Sequence, residues 1–196
     1  VKRKPLNTDP AVDTAFFTFH VSRYDVGREG MDPVTHGLLG AAVSQVFFSK
    51  KLGPTVWRLG ALAAVLPDVD VFIRSRTNPL LFIEYHRHFT HALLFIPMGG
   101  LIAALPWLLG RRHRHRWKAF LGAATVSYAT HGLLDACTTY GTLLLWPFSM
   151  TRISWDCLAI VDPIFTLFLV LGVALTARWR QGAPALIAIL FCLAYI

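Results

Sequence analysis

Phe89–Leu109 reads FTHALLFIPMGGLIAALPWLL, 21 residues without a formal charge. As a continuous α-helix it would run roughly 31 Å, against about 30 Å for the hydrocarbon core of a bilayer. It therefore predicts a membrane-crossing helix. His91 stands near its start, so an apolar span opens on a group able to ligate a metal. On either side lie five further apolar segments: His36–Phe48, Val56–Leu66, Ala119–Leu134, Leu158–Ala177 and Ala183–Ile196. The first two are short enough for half-spans or buried core helices, and Leu158–Ala177 carries a single acid, Asp162. The expected fold class is all-α: a polytopic transmembrane helical bundle of about four to six helices with a metal site at one end.

Composition agrees. Of 196 residues, 55% are hydrophobic and 15% charged, where soluble domains average about 45–50% and 25%. Mean hydropathy is +0.50. These figures exclude a disordered chain, a collagen-like chain and a highly charged nucleic-acid module. The three cysteines form no CxxC pair, so neither a disulfide scaffold nor a zinc ribbon is expected. Residues 1–30 differ from the rest: they hold nine formal charges and no sustained apolar period. They are expected to be a non-native or disordered extension, with the native start at Met31, where Asp32 can N-cap a helix and Pro33 suits its first turn. Residues 31–177 then form the helical membrane domain, and 178–196 begin a further helix expected to be truncated.

Wiring the six segments as alternating antiparallel helices sorts the charges. One set of connections holds Lys50, Lys51, Arg58, Arg111, Arg112, Arg114, Arg116, Lys118, Arg178 and Arg180, and no acid. The other holds Arg74, Arg76, Arg87 and Arg152 with every acid after Met31. The basic set belongs in the cytoplasm by the positive-inside rule. The net charge of +8 is thus explained by loops touching anionic lipid headgroups, RRHRHRWK above all. The expected partner is the lipid bilayer, and no nucleic acid is expected.

His36, His86, His88, His91 and His131 lie on the acidic, outer side. In HGLLD, His131 and Asp135 are spaced i,i+4 and share one helix face, a usual grip for a divalent metal. Asp68 and Asp70 follow Pro67 in LPDVD, where a helix should end. HRHFTH places three histidines at the mouth of the long span. Ionisable groups near a membrane are costly and mark functional sites. Thr138, Thr139 and Tyr140 either shape a substrate mouth or belong to a turn at Gly141. Cys137 and Cys157 are either packing thiols or a pair that joins in an oxidising compartment.

THGLLG, LPDVD, HRHFTHALL and SYATHGLLDACTTYGTLLLWPF, in this order and spacing, resemble the YdjM-type membrane-bound metal-dependent hydrolases over about Met31 to Asp162. The resemblance implies a multi-pass protein of the bacterial inner membrane with a divalent-metal hydrolase site. A remoter similarity to zinc-dependent phospholipase C and P1-type nucleases suggests phosphoester substrates. His88 stands where a small residue is common in the family, so it is an accessory group rather than a ligand.

The expected function is metal-dependent hydrolysis of a small-molecule or lipid substrate, with the site on the non-cytoplasmic side. The metal ligands are His36, Asp68, His91, His131 and Asp135, with Asp70 and His86 next. Asp70 or Glu84 is the candidate general base, and Arg87 the candidate oxyanion stabiliser. Zinc suits nitrogen-plus-carboxylate ligation, with manganese or iron as alternatives; several carboxylates favour more than one ion. The competing reading is a non-catalytic membrane protein with a structural or transported ion.

Overall fold

The computed structural model describes residues 32–73, 85–110 and 115–196. The expectations for residues 1–30, for Glu84 and for positions 111–114 lie outside the described residues. Six α-helices occur among those described: α1 (Pro33–Leu52), α2 (Trp57–Val65), α3 (Ile96–Leu108), α4 (Trp117–Ala136), α5 (Pro163–Trp179) and α6 (Ala183–Tyr195). An antiparallel bridge joins Thr142 to Ile153, and no strand forms among the described residues. The all-helical expectation holds.

Each helix starts where its sequence allows. Asp32 accepts from the N–H groups of Val34 at 3.0 Å and Thr35 at 3.1 Å, and Pro33, which has no N–H to satisfy, opens α1. Asp162 repeats the device on α5, accepting from Ile164 at 3.0 Å and Phe165 at 2.9 Å ahead of Pro163. Replacing Asp162 with alanine should cost about 1 kcal/mol. Thermal unfolding should fall by roughly 2–4 °C in consequence.

The expected single span Phe89–Leu109 is not formed. Two short 3-10 turns, Phe89–His91 and Leu93–Phe95, precede α3, which has only 13 residues. Ala92 between them is extended (φ −70°, ψ 145°), and the Leu93 N–H donates to the Leu144 carbonyl at 2.9 Å instead of to its own helix. The break turns His91 inward. The segment expected from Leu158 likewise becomes helical only at Pro163. Among the described residues, no helix is long and apolar enough to cross a membrane.

Packing is done by small residues. Helix α1 lies against α2, α4, α5 and α6, and α3 lies against α4. Ala63, Ala64, Ala104, Ala123 and Ala124 are fully buried. At the α1–α2 crossing a Cβ on Gly60 would land on the Gly40 carbonyl and the Ser44 side chain, so only glycine allows that approach. In two of the helices the large side chains point the other way. In α3, Gly99, Gly100, Ala103 and Ala104 are buried while Met98, Leu101, Ile102 and Leu105 are exposed; in α6, Ala185 and Ala188 are buried while Ile187, Leu190 and Leu193 are exposed. Soluble helices show the reverse.

Candidate metal centre

Four separate segments deliver the site. His36 sits one turn into α1, just past its cap. His131 and Asp135 project from the last turns of α4. Asp68 comes from the 3-10 segment Leu66–Phe72 that continues α2, where Pro67 ends the α-helix. His91 comes from the turn that breaks the apolar run. All five are buried, His131 and Asp135 completely.

Their ligand atoms converge. His131 Nε2 lies 2.9 Å from Asp68 Oδ1, 3.0 Å from His91 Nε2 and 3.4 Å from Asp135 Oδ2. His91 Nε2 is 3.1 Å from Asp135 Oδ2 and 3.7 Å from Asp68 Oδ1. His36 Nε2 reaches Asp135 Oδ1 at 3.3 Å, and its ring stacks on His131 with centroids 3.9 Å apart. Tetrahedral ligands at about 2.0–2.1 Å from zinc would lie roughly 3.3 Å from one another. The observed spacings bracket that value.

The rear of each imidazole fixes its front. His131 Nδ1 donates to the Ala64 carbonyl at 2.5 Å, so the neutral ring carries its lone pair on Nε2. His91 Nδ1 donates to Thr90 Oγ1 at 2.9 Å, whose hydroxyl donates to Asp70 Oδ2 at 3.1 Å, so His91 Nε2 is also a bare acceptor. Asp68 and Asp135 carry buried oxygens with no hydrogen-bond partner. Lone pairs facing lone pairs and carboxylates in a buried pocket repel one another unless a cation sits among them. The donor set fits a divalent ion. His36, His131 and Asp135 form one group able to hold it, and Asp68, His91 and His131 another. The His131 Nε2 lone pair serves one ion only, so the two groups cannot each hold a separate ion through it.

Asp70 and His86 stand behind this group. Asp70 Oδ2 accepts from the Arg87 N–H at 2.9 Å and lies 3.4 Å from His91 Nδ1, while Oδ1 lies 3.2 Å from His86 Nδ1. Both of its oxygens are committed to orienting neighbours. Arg87, held at φ 56°, places Nη2 3.2 Å from Asp135 Oδ1 and donates from Nη1 to Thr138 Oγ1 at 3.0 Å. His88 packs against Trp146, ring centroids 5.4 Å apart, away from the converging atoms. A cleft of about 10 Å³, room for roughly one water, is lined by Thr35, His36, Arg87, Asp135 and Thr138, with Ala159, Ile160 and Asp162 also on its walls. Sequence reasoning missed Thr90, whose place inside HRHFTH was the only hint of its role. It also missed Arg152, which donates to the His86 carbonyl at 3.1 Å and sits over the Tyr140 ring, and which had no recognisable spacing to announce it.

The structure is a helical bundle whose buried end gathers three imidazoles and two carboxylates from four segments, a group able to hold a metal ion. The chain belongs to the family described as YdjM inner membrane protein, whose model matches residues 31–196. It is similar to inner membrane protein YbcI of Escherichia coli (strain K12), 32% identical over 124 residues that make up 61% of this chain and 69% of that protein. No solved structure matches it.

Proposed function

We propose that this chain is a membrane-embedded, metal-dependent hydrolase whose site faces the non-cytoplasmic side and acts on phosphoester or lipid-derived substrates. The observation that carries it is the His91–His131 approach, two Nε2 atoms 3.0 Å apart facing Asp68 oxygens that make no hydrogen bond. His36, Asp68, His91, His131 and Asp135 would hold the ion, with zinc favoured over manganese or iron by the donor set. A bound ion of this kind supplies a water whose pKa falls from 15.7 to about 7. Arg87, buried beside Asp135 on the cleft wall, is placed to bind an anionic oxygen of the substrate. Asp70, with both oxygens engaged, orients His91 and His86 and is not free to take a proton. Replacing Asp70 with asparagine should weaken metal retention 10–100-fold while keeping every ligand, read by competition with a chromophoric chelator.

Embedding is supported by the inverted packing of α3 and α6, with small residues inside and large apolar ones outside, as membrane bundles show. Orientation is supported by charge. Lys50 and Lys51 end α1 and Arg178 ends α5, while Lys118 starts α4; His36, Asp162 and Asp135 mark the opposite ends of these same helices. By the positive-inside rule, this distribution supports an outward-facing site.

A second reading has its own support: the ligands are almost fully buried and the cleft is narrow, as in a closed structural ion site. Purified protein in detergent decides. The hydrolase reading expects about one zinc per chain and cleavage of a phosphodiester or phospholipid that chelation stops and zinc restores. Tightly held metal without hydrolysis favours the structural ion. Absence of metal after purification and after zinc loading overturns both.

A further inference from the structure

Cys137 and Cys157 lie apart in the sequence, and the metal centre uses neither. Cys137 ends α4, two residues beyond Asp135, and is buried; Cys157 is exposed. Residues 153–158 run alongside 136–142. Ile153 bridges to Thr142, Trp155 N–H donates to the Ala136 carbonyl at 2.7 Å, and both Cys157 and Leu158 N–H donate to the Cys137 carbonyl at 2.9 and 3.0 Å. A direct peptide hydrogen bond of this kind sets the two Cα atoms roughly 5–6 Å apart, inside the span a disulfide bridges. The Cys157 thiol turns toward Cys137: its Sγ lies 3.6 Å from the Cys137 carbonyl oxygen. Cys192 is elsewhere, buried with its thiol toward the Phe165 carbonyl.

We propose that Cys137 and Cys157 are an oxidation site, closed into an intramolecular disulfide by exchange with a disulfide-bearing protein oxidant. The exposed Cys157 thiolate attacks one sulfur of the oxidant, forming a mixed disulfide and releasing one oxidant thiol. Cys137 then attacks the Cys157 sulfur and expels the second oxidant thiol. Two cysteine thiols lose two electrons and two protons, and the oxidant leaves as a dithiol. The inference rests on the outward-facing reading, since thiols on the cytoplasmic side are kept reduced. Its consequence is local. The bond pins the segment that continues into Leu158, Ala159 and Ile160, which wall the cleft beside Asp135 and Thr138, to the end of the helix that carries the site.

Cells producing the full chain are quenched in acid, and the denatured protein is alkylated with N-ethylmaleimide and weighed. One modified cysteine before reduction and three after it are expected, with peptide mapping placing the free one at Cys192. Cys192→Ser should keep the linkage, and Cys157→Ser should lose it while retaining wild-type zinc content. Three alkylated cysteines without reduction overturn the proposal. The purified, reduced protein in oxidised glutathione then shows which premise failed. Closure there, with open thiols in cells, counts against the outward orientation. Failure to close in either setting counts against the pairing itself and leaves the hydrolase reading intact.

Discussion

Replacing His131 with alanine is expected to abolish metal binding at the candidate centre. His131 Nε2 belongs to both candidate ligand groups and lies within 3.4 Å of Asp68, His91 and Asp135 atoms alike. Asp135 reaches as many, His36, His91 and His131 within 3.4 Å, but among the described residues His131 alone belongs to both groups. Its loss also orphans the buried Ala64 carbonyl that now accepts from Nδ1, and an unpaired buried acceptor costs about 1–3 kcal/mol. The drop in metal affinity should exceed the 10–100-fold that follows loss of a mere orienting partner. Metal content by mass spectrometry, compared with wild type and with Asp70→Asn, checks the order. Retention of wild-type metal by His131→Ala would remove this residue from the site. A glutamine at 131 serves as a companion, filling the space without supplying an imidazole, and should lose the metal while remaining folded.

Gly60→Ala should damage both the fold and the site. The new methyl would meet the Gly40 carbonyl and the Ser44 side chain at the α1–α2 crossing. Backbone cannot step aside as a flexible side chain can, so the helices must separate. Overpacking of this kind costs about 1–3 kcal/mol, occasionally more, and each kcal/mol lowers the melting temperature by roughly 2–4 °C. Separation also moves what the two helices carry. His36 lies one turn before Gly40, and α2 leads through the Ala64 carbonyl into the turn that holds Asp68. Weaker zinc retention should therefore accompany the lower melting temperature. A loss of stability with unchanged metal affinity would show that the crossing does not set the position of the ligands.

How much of this was legible varies from residue to residue. His131 and Asp135 were readable as a pair because helical periodicity alone places i and i+4 on one face. Asp68 and Asp70 were not separable. They sit two apart in a 3-10 segment, and their directions depend on how that turn leaves α2: Asp68 faces the bare imidazole nitrogens, while Asp70 faces their backs. Thr90 shows the same limit, since its hydroxyl matters only once His91 and Asp70 are adjacent.

Local rules acting on the chain alone determined the helical class, the caps at Asp32 and Asp162, the sorting of charge along the helices and the clustering of His and Asp near one set of ends. These follow from hydropathy and residue spacing, which need no partner. Tertiary structure decided the rest. Phe89–Leu109 carries every mark of one continuous helix, yet it breaks at Ala92 because Leu93 finds the Leu144 carbonyl and His91 meets His131 across the bundle. Contacts between residues forty or more positions apart outweigh local helical preference there, and no local pattern records them.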